Sequence, residues 1–155
     1  MNANPDPRPD LDPLRARSGF ADLLGYRLVR WEQDLAEIEL EIGARHLNRS
    51  GVLHGGVLAT LLDAACGYAG CFIGKPGRRR RGFTLSMSTQ FIGTVESGAQ
   101  LVCTARKTGG GKSVFFAAAE IRDQSGRLVG RGDAVFKYRG RSGEPDGEPN
   151  VEQGR

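Results

Sequence analysis

From Gly55 to Gly74 the chain carries a single charge, Asp63, and its large apolar residues recur at helical spacing. At about 100° per residue, Val57, Leu58, Leu61, Leu62, Ala64, Ala65, Tyr68, Ala69 and Phe72 share one broad arc. The opposite arc collects Gly56, Ala59, Thr60, Asp63, Cys66, Gly67 and Gly70, all small. A wet helix face would carry Lys, Glu, Gln or Arg. This arc is therefore expected to lie against another backbone, while the first arc packs on the chain's own core.

The flanking sequence changes period. Tyr26 to Ile42 alternates as a half-buried strand pair, and alternation returns in Phe83 to Ile92, Ala99 to Arg106, Val114 to Ile121 and Leu128 to Tyr138. Gln124-Ser125-Gly126 reads as a hairpin connection. Asp12-Pro13 opens a short helix that ends near Gly25. These elements predict an α+β fold in which a curved antiparallel sheet wraps one long central helix, the last four strands following one another as in a meander. Residues 1–11 are rich in Pro, Asn and Asp, and residues 140–155 in Gly, Pro and Glu. Both are expected to be disordered, leaving one folded domain over 12–139.

Charge and cysteine usage exclude several classes. Twenty-two basic against 18 acidic residues give +4, too modest for a nucleic-acid protein. Cys66, Cys71 and Cys103 lack metal-ligand spacing and are odd in number, which suits free thiols in the cytoplasm. No secretory leader or membrane span is expected, and two histidines without spaced carboxylates make a metal site improbable. "TGGGKS" over 108–113 sits between two strands and lacks the first glycine of a phosphate loop. The Arg78–Arg81 run reads as a solvated connector, His46 as structural and Trp31 as a core residue.

The chemistry concentrates at the start of the long helix. His54-Gly55-Gly56 places unpaired backbone N–H groups and the positive end of the helix dipole where an oxyanion can approach. Asp63 lies eight residues beyond Gly55, about 12 Å along the axis, so one helix cannot put its own carboxylate beside a carbonyl bound at its own N-terminus. Two copies packed antiparallel about a two-fold axis near Ala59 or Thr60 would bring each Asp63 beside the other's Gly55. That arrangement predicts a homodimer with two shared sites.

"HLNRSGVLHGGVLATLLDAA", with Asn48, His54, Gly55, Gly56 and Asp63 in this spacing, resembles the hotdog-fold acyl-CoA thioesterases of the PaaI-like branch. "FTLSMSTQFIGTVESG" and "GKSVFFAAAEIRDQSGRLVGRGDAVFKY" resemble the strand after that family's helix and its closing hairpin. The resemblance implies a hotdog fold, dimers joined into a continuous sheet and often paired as homotetramers, and hydrolysis of an acyl-CoA thioester without cofactor or metal. By position it implies that Asp63 activates water or attacks the thioester carbon and that the Gly55 N–H polarises its carbonyl. Asn48 and His54 would orient thioester or water, Thr84 would position water, and Gly56 and Lys112 would contact substrate. A hotdog hydratase or dehydratase and a non-catalytic acyl-CoA sensor remain as alternatives.

Overall fold

The computed structural model describes residues 9–13 and 18–150. Helices α1 (Gly19–Leu24) and α2 (Gly55–Cys71) accompany strands β1 (Arg27–Glu32), β2 (Leu35–Glu41), β3 (Arg78–Arg79), β4 (Gly82–Phe91), β5 (Gln100–Gly110), β6 (Val114–Asp123), β7 (Leu128–Tyr138) and β8 (Glu148–Pro149). Six strands form one antiparallel sheet in the order β1-β2-β5-β6-β7-β4, and β3 pairs separately with β8. The sheet curves around α2, the hotdog arrangement expected from the sequence.

The α2 helix is seated by size matching. Leu58, Leu61 and Leu62 are buried against the sheet, where each such side chain contributes about 1.5–3 kcal/mol. The facing strand residues are small: a Cβ added at Gly130 would come within 2.7 Å of Leu58. Ala117, Ala119 and Ala134 are buried on the same layer. Alternation along β5, β6 and β7 delivers Leu101, Cys103, Phe115, Ile121 and Val129 to this core.

Four expectations are corrected. The last four strands are not a simple meander: β4 pairs with β7 over Gly82↔Tyr138 to Phe91↔Gly130 and forms an open sheet edge. The connection from β4 to β5 crosses the start of α2, where Val95 is buried and its carbonyl accepts from Leu53 N. Second, the small arc of α2 is partly spent within its own chain. Cys66 is buried, and a Cβ at Gly70 would fall 2.0 Å from the Phe115 ring.

Third, α1 is capped by Ser18, whose Oγ accepts from Ala21 N, and ends on Gly25 at φ 84°. The expected cap, Asp12, instead accepts a 2.6 Å hydrogen bond from the Tyr68 hydroxyl; residues 14–17 lie outside the described residues. Fourth, the two end segments hold structure where disorder was expected. Leu11 N donates to Leu28 O, and residues 140–150 fold back onto β3, with Ser142 buried and its Oγ accepting from Arg81 N. Residues 1–8 and 151–155 lie outside the described residues. Among the described residues no helix is long and apolar enough to cross a membrane.

Candidate active site

The middle of α2 meets the edge strand at one polar contact. Asp63 is half-buried, and Thr84 Oγ1 donates to its Oδ1 at 2.6 Å. Thr84 reaches the helix because it sits opposite Phe136 in the β4–β7 register, on the inward face. The pair opens on a cleft of about 710 Å³ walled by Tyr26, Trp31, Tyr68 and Phe136, with Arg78–Arg81 along another side. That volume lies within the usual range for small-molecule sites. The aromatic wall beside the Asp63 carboxylate and the Thr84 hydroxyl suits an apolar group whose reactive end is held at that polar spot.

The wall has its own scaffolding. Trp31 Nε1 donates to Tyr68 O at 2.8 Å, and the indole meets Tyr68 and Phe72 edge-on at 5.8 and 5.7 Å. Trp31 packs against the core, as expected, and also lines the cleft, for which the sequence carried no signal. Burial, with Asp12 beside it, pushes the Tyr68 hydroxyl well above the ordinary tyrosine range. It stays protonated and serves as a donor.

At the other end of α2, His54 caps the helix: its Nδ1 accepts from Gly56 N at 2.8 Å. Its carbonyl accepts from Val57 N and, at 3.5 Å, from Leu58 N. Among the described residues no partner takes the Gly55 N–H. Gly55 is also tight, since a Cβ there would stand 3.1 Å from the Phe91 ring. The loop leading in is pinned by Asn48, whose Oδ1 accepts from Ser50 N and Val52 N at 2.8 and 3.3 Å. His46 is buried and structural as expected: Nδ1 accepts from Gly43 N, which leaves the Nε2 proton for Leu24 O at 2.7 Å.

Of the residues singled out from sequence, Asp63 meets Thr84 and His54 meets Gly56, the two pairs at separate places along α2. Gly55, Gly56, His54 and Asn48 cluster at the N-terminus of α2, and Lys112 sits in the β5–β6 turn, paired with Glu144 at 3.5 Å. Lys112 is not among the residues lining the cleft. Burial pushes the Cys66 and Cys71 thiols up to about 12, Cys71 despite the nearby Arg80 and Lys107. Neither is a nucleophile near neutral pH.

A family model described as the thioesterase superfamily matches residues 50–130. Esterase-assigned protein PA0474 of Pseudomonas aeruginosa is 33% identical over 125 residues, covering 80% of this chain and 91% of that one. Acyl-coenzyme A thioesterase 13 of Mus musculus is 28% identical over 61% of this chain and 66% of its own. The solved E. coli PaaI protein superposes with a TM-score of 0.74 at 23% identity, covering 83% of this chain and 89% of that one.

Proposed function

The chain belongs to the thioesterase superfamily, and from that premise we propose that it hydrolyses acyl-CoA to the free acid and CoA at a site shared by two copies. The observation that carries this reading is the Thr84–Asp63 hydrogen bond beside the aromatic wall of the cleft. A carboxylate held by a hydroxyl in that setting is equipped to act on a thioester carbon.

In the proposed reaction the acyl group lies along the aromatic wall and the thioester carbonyl points at the N–H of Gly55 of the partner subunit. That donor and the helix dipole stabilise the oxyanion as it forms. Asp63 acts either as general base or as nucleophile. As base it takes a proton from a water whose oxygen bonds to the carbonyl carbon. The tetrahedral intermediate then expels the CoA thiolate, which is protonated as the C–S bond breaks. As nucleophile it forms a mixed anhydride with loss of the same thiolate, and water hydrolyses that anhydride. His54, which takes the Gly56 N–H, and Asn48 hold the N-terminal turn that presents the Gly55 N–H; no organic cofactor enters either route.

Two features support the shared site. Gly55 and Asp63 of one chain stand about 12 Å apart along α2. The β4 strand offers ten residues on an open edge, with Phe83, Leu85, Phe91 and Ile92 each 46–63% exposed, and such an edge calls for a covering partner. A second β4 would extend the sheet, and a pair of such dimers would form the tetramer. Three free cysteines fit a cytoplasmic enzyme.

The test is thiol release from aromatic, short, medium and long acyl-CoAs by the wild type and Asp63→Asn. Loss of about 10²- to 10⁴-fold in turnover with an unchanged melting temperature is the expected result. Undiminished hydrolysis by Asp63→Asn would remove Asp63 from the reaction.

A further inference from the structure

The cleft holds more positive charge than thioester hydrolysis explains. Arg78, Arg79, Arg80 and Arg81 all line it, and the folded-back segment 144–148 treats them as two pairs. Arg79 and Arg81 both donate through Nε to Glu148 Oε1. Arg78 receives only carbonyl oxygens, those of Asp146 at 2.7 Å and Gly147 at 2.9 Å. Arg80 reaches the carbonyls of Pro145 and Glu144 at 3.4 and 3.5 Å, and its buried Nε has no partner. Neither Arg78 nor Arg80 makes an ion pair among the described residues. Alternation along an extended run explains the division, since Glu148 reaches one side only; on the other, the Asp146 carboxylate acts on Arg78 from beyond ion-pair distance and Arg80 meets backbone carbonyls.

The unpaired side has a definite place. Gly82, two residues after Arg80, lies against Cys71 at the C-terminal end of α2, a Cβ there standing 3.5 Å from Cys71 Sγ. The Arg80 guanidinium lies 6.0 Å from the centre of the Tyr138 ring. Asp63 and Cys71 are eight residues apart on α2, about 12 Å along the axis. The cleft therefore runs from a carboxylate–hydroxyl pair, past aromatic side chains, to a half-buried cation with no ion-pair partner among the described residues. We propose that Arg80, with Arg78 beside it, is an anion subsite for a carboxylate at the far end of the acyl group, so that the preferred substrates are thioesters of dicarboxylic acids.

This inference rests on the thioesterase reading and deepens it. The acyl group and CoA leave a thioester in opposite directions. Aromatic walls between the two polar ends suit a hydrocarbon spacer, whereas the pantetheine arm carries amides that need partners. A guanidinium matches a carboxylate in two parallel hydrogen bonds.

The test compares adipyl-CoA with hexanoyl-CoA, which differ only in the terminal carboxylate, by thiol release from the wild type, Arg80→Met and Arg80→Lys. The wild type is expected to favour adipyl-CoA in kcat/KM by about tenfold or more. Arg80→Met is expected to collapse that ratio, and Arg80→Lys to keep part of it. A wild-type ratio at or below one would overturn the subsite. So would an Arg80→Met variant that slows both esters equally, which would assign Arg80 to CoA or to the scaffold. Hydrolysis of hexanoyl-CoA alone, or of other acyl-CoAs but neither of these two, would sink only the subsite, whereas no thiol release from these two or from aromatic, short or long acyl-CoAs would sink the thioesterase reading beneath it.

Discussion

Thr84 Oγ1 donates to Asp63 Oδ1 at 2.6 Å, tying the open edge strand β4 to the middle of α2 across 21 residues of sequence. The hydroxyl fixes which way the carboxylate faces, leaving Oδ2 for the reacting group. Removing it with Thr84→Val keeps the side chain's shape and its strand preference. Turnover is expected to fall about tenfold, ~1.4 kcal/mol in the barrier, with the melting temperature little changed. Steady-state thiol release beside thermal unfolding checks this; an unaltered kcat would mean that Thr84 does not orient Asp63.

The small residues of α2 divide by what they face. Gly70 has no room for a methyl group, because its Cβ would fall 2.0 Å from the Phe115 ring. Gly70→Ala is expected to destabilise the folded chain by about 1–3 kcal/mol, read as a lower denaturant midpoint. Ala59 is half-buried and lies at the proposed two-fold axis. Ala59→Leu is expected to weaken self-association, read by sedimentation at falling concentration, with little effect on the chain's own packing.

The β6–β7 turn sets an acid limit. Asp123 accepts from Ser125 N, Ser125 Oγ and Arg127 N, and pairs with Arg127 Nε at 3.0 Å. These bonds, Ser125 first and then Arg127, hold its carboxyl down at about 2. A carboxyl depressed by folding stabilises the folded state above its unfolded value near 4. The contribution is lost as pH falls from there toward 2. The difference in denaturant midpoint between the wild type and Asp123→Ala is therefore expected to be full at pH 6 and reduced at pH 3. An equal difference at both values would contradict the charged role of Asp123.

Much of this was legible locally. The His-Gly-Gly start of α2, the strand alternation and the Asp123–Gly126 hairpin are set by residues within a few positions of one another, where periodicity and turn chemistry operate. The position of β4 at the sheet edge was not, because pairing with β7 is decided by contacts 39 to 56 residues apart. Cys66 and Gly70 were misplaced because smallness looks the same whether the partner is the chain's own Phe115 or a second molecule. The segment after Gly140 has the composition of a disordered tail. Its order comes from arginines some 65 residues upstream, which composition does not register. Asn48 and His54 were legible as a cluster at the helix start, but their hydrogen bonds are to their own loop and helix end.

The shared site itself is tested by subunit mixing. Asp63→Asn removes the carboxylate. Gly55→Pro removes the N–H at the first helical position, where proline is tolerated and where His54 already has the extended backbone proline prefers before it, ψ 130°. Each variant alone is expected to lose turnover by about 10²-fold or more. Co-expression under two affinity tags isolates mixed dimers, in which one of the two sites combines Asp63 of one chain with Gly55 of the other. Mixed dimers with about half the wild-type turnover are the expected result of a site built by two chains; mixed dimers no more active than their parents would contradict it.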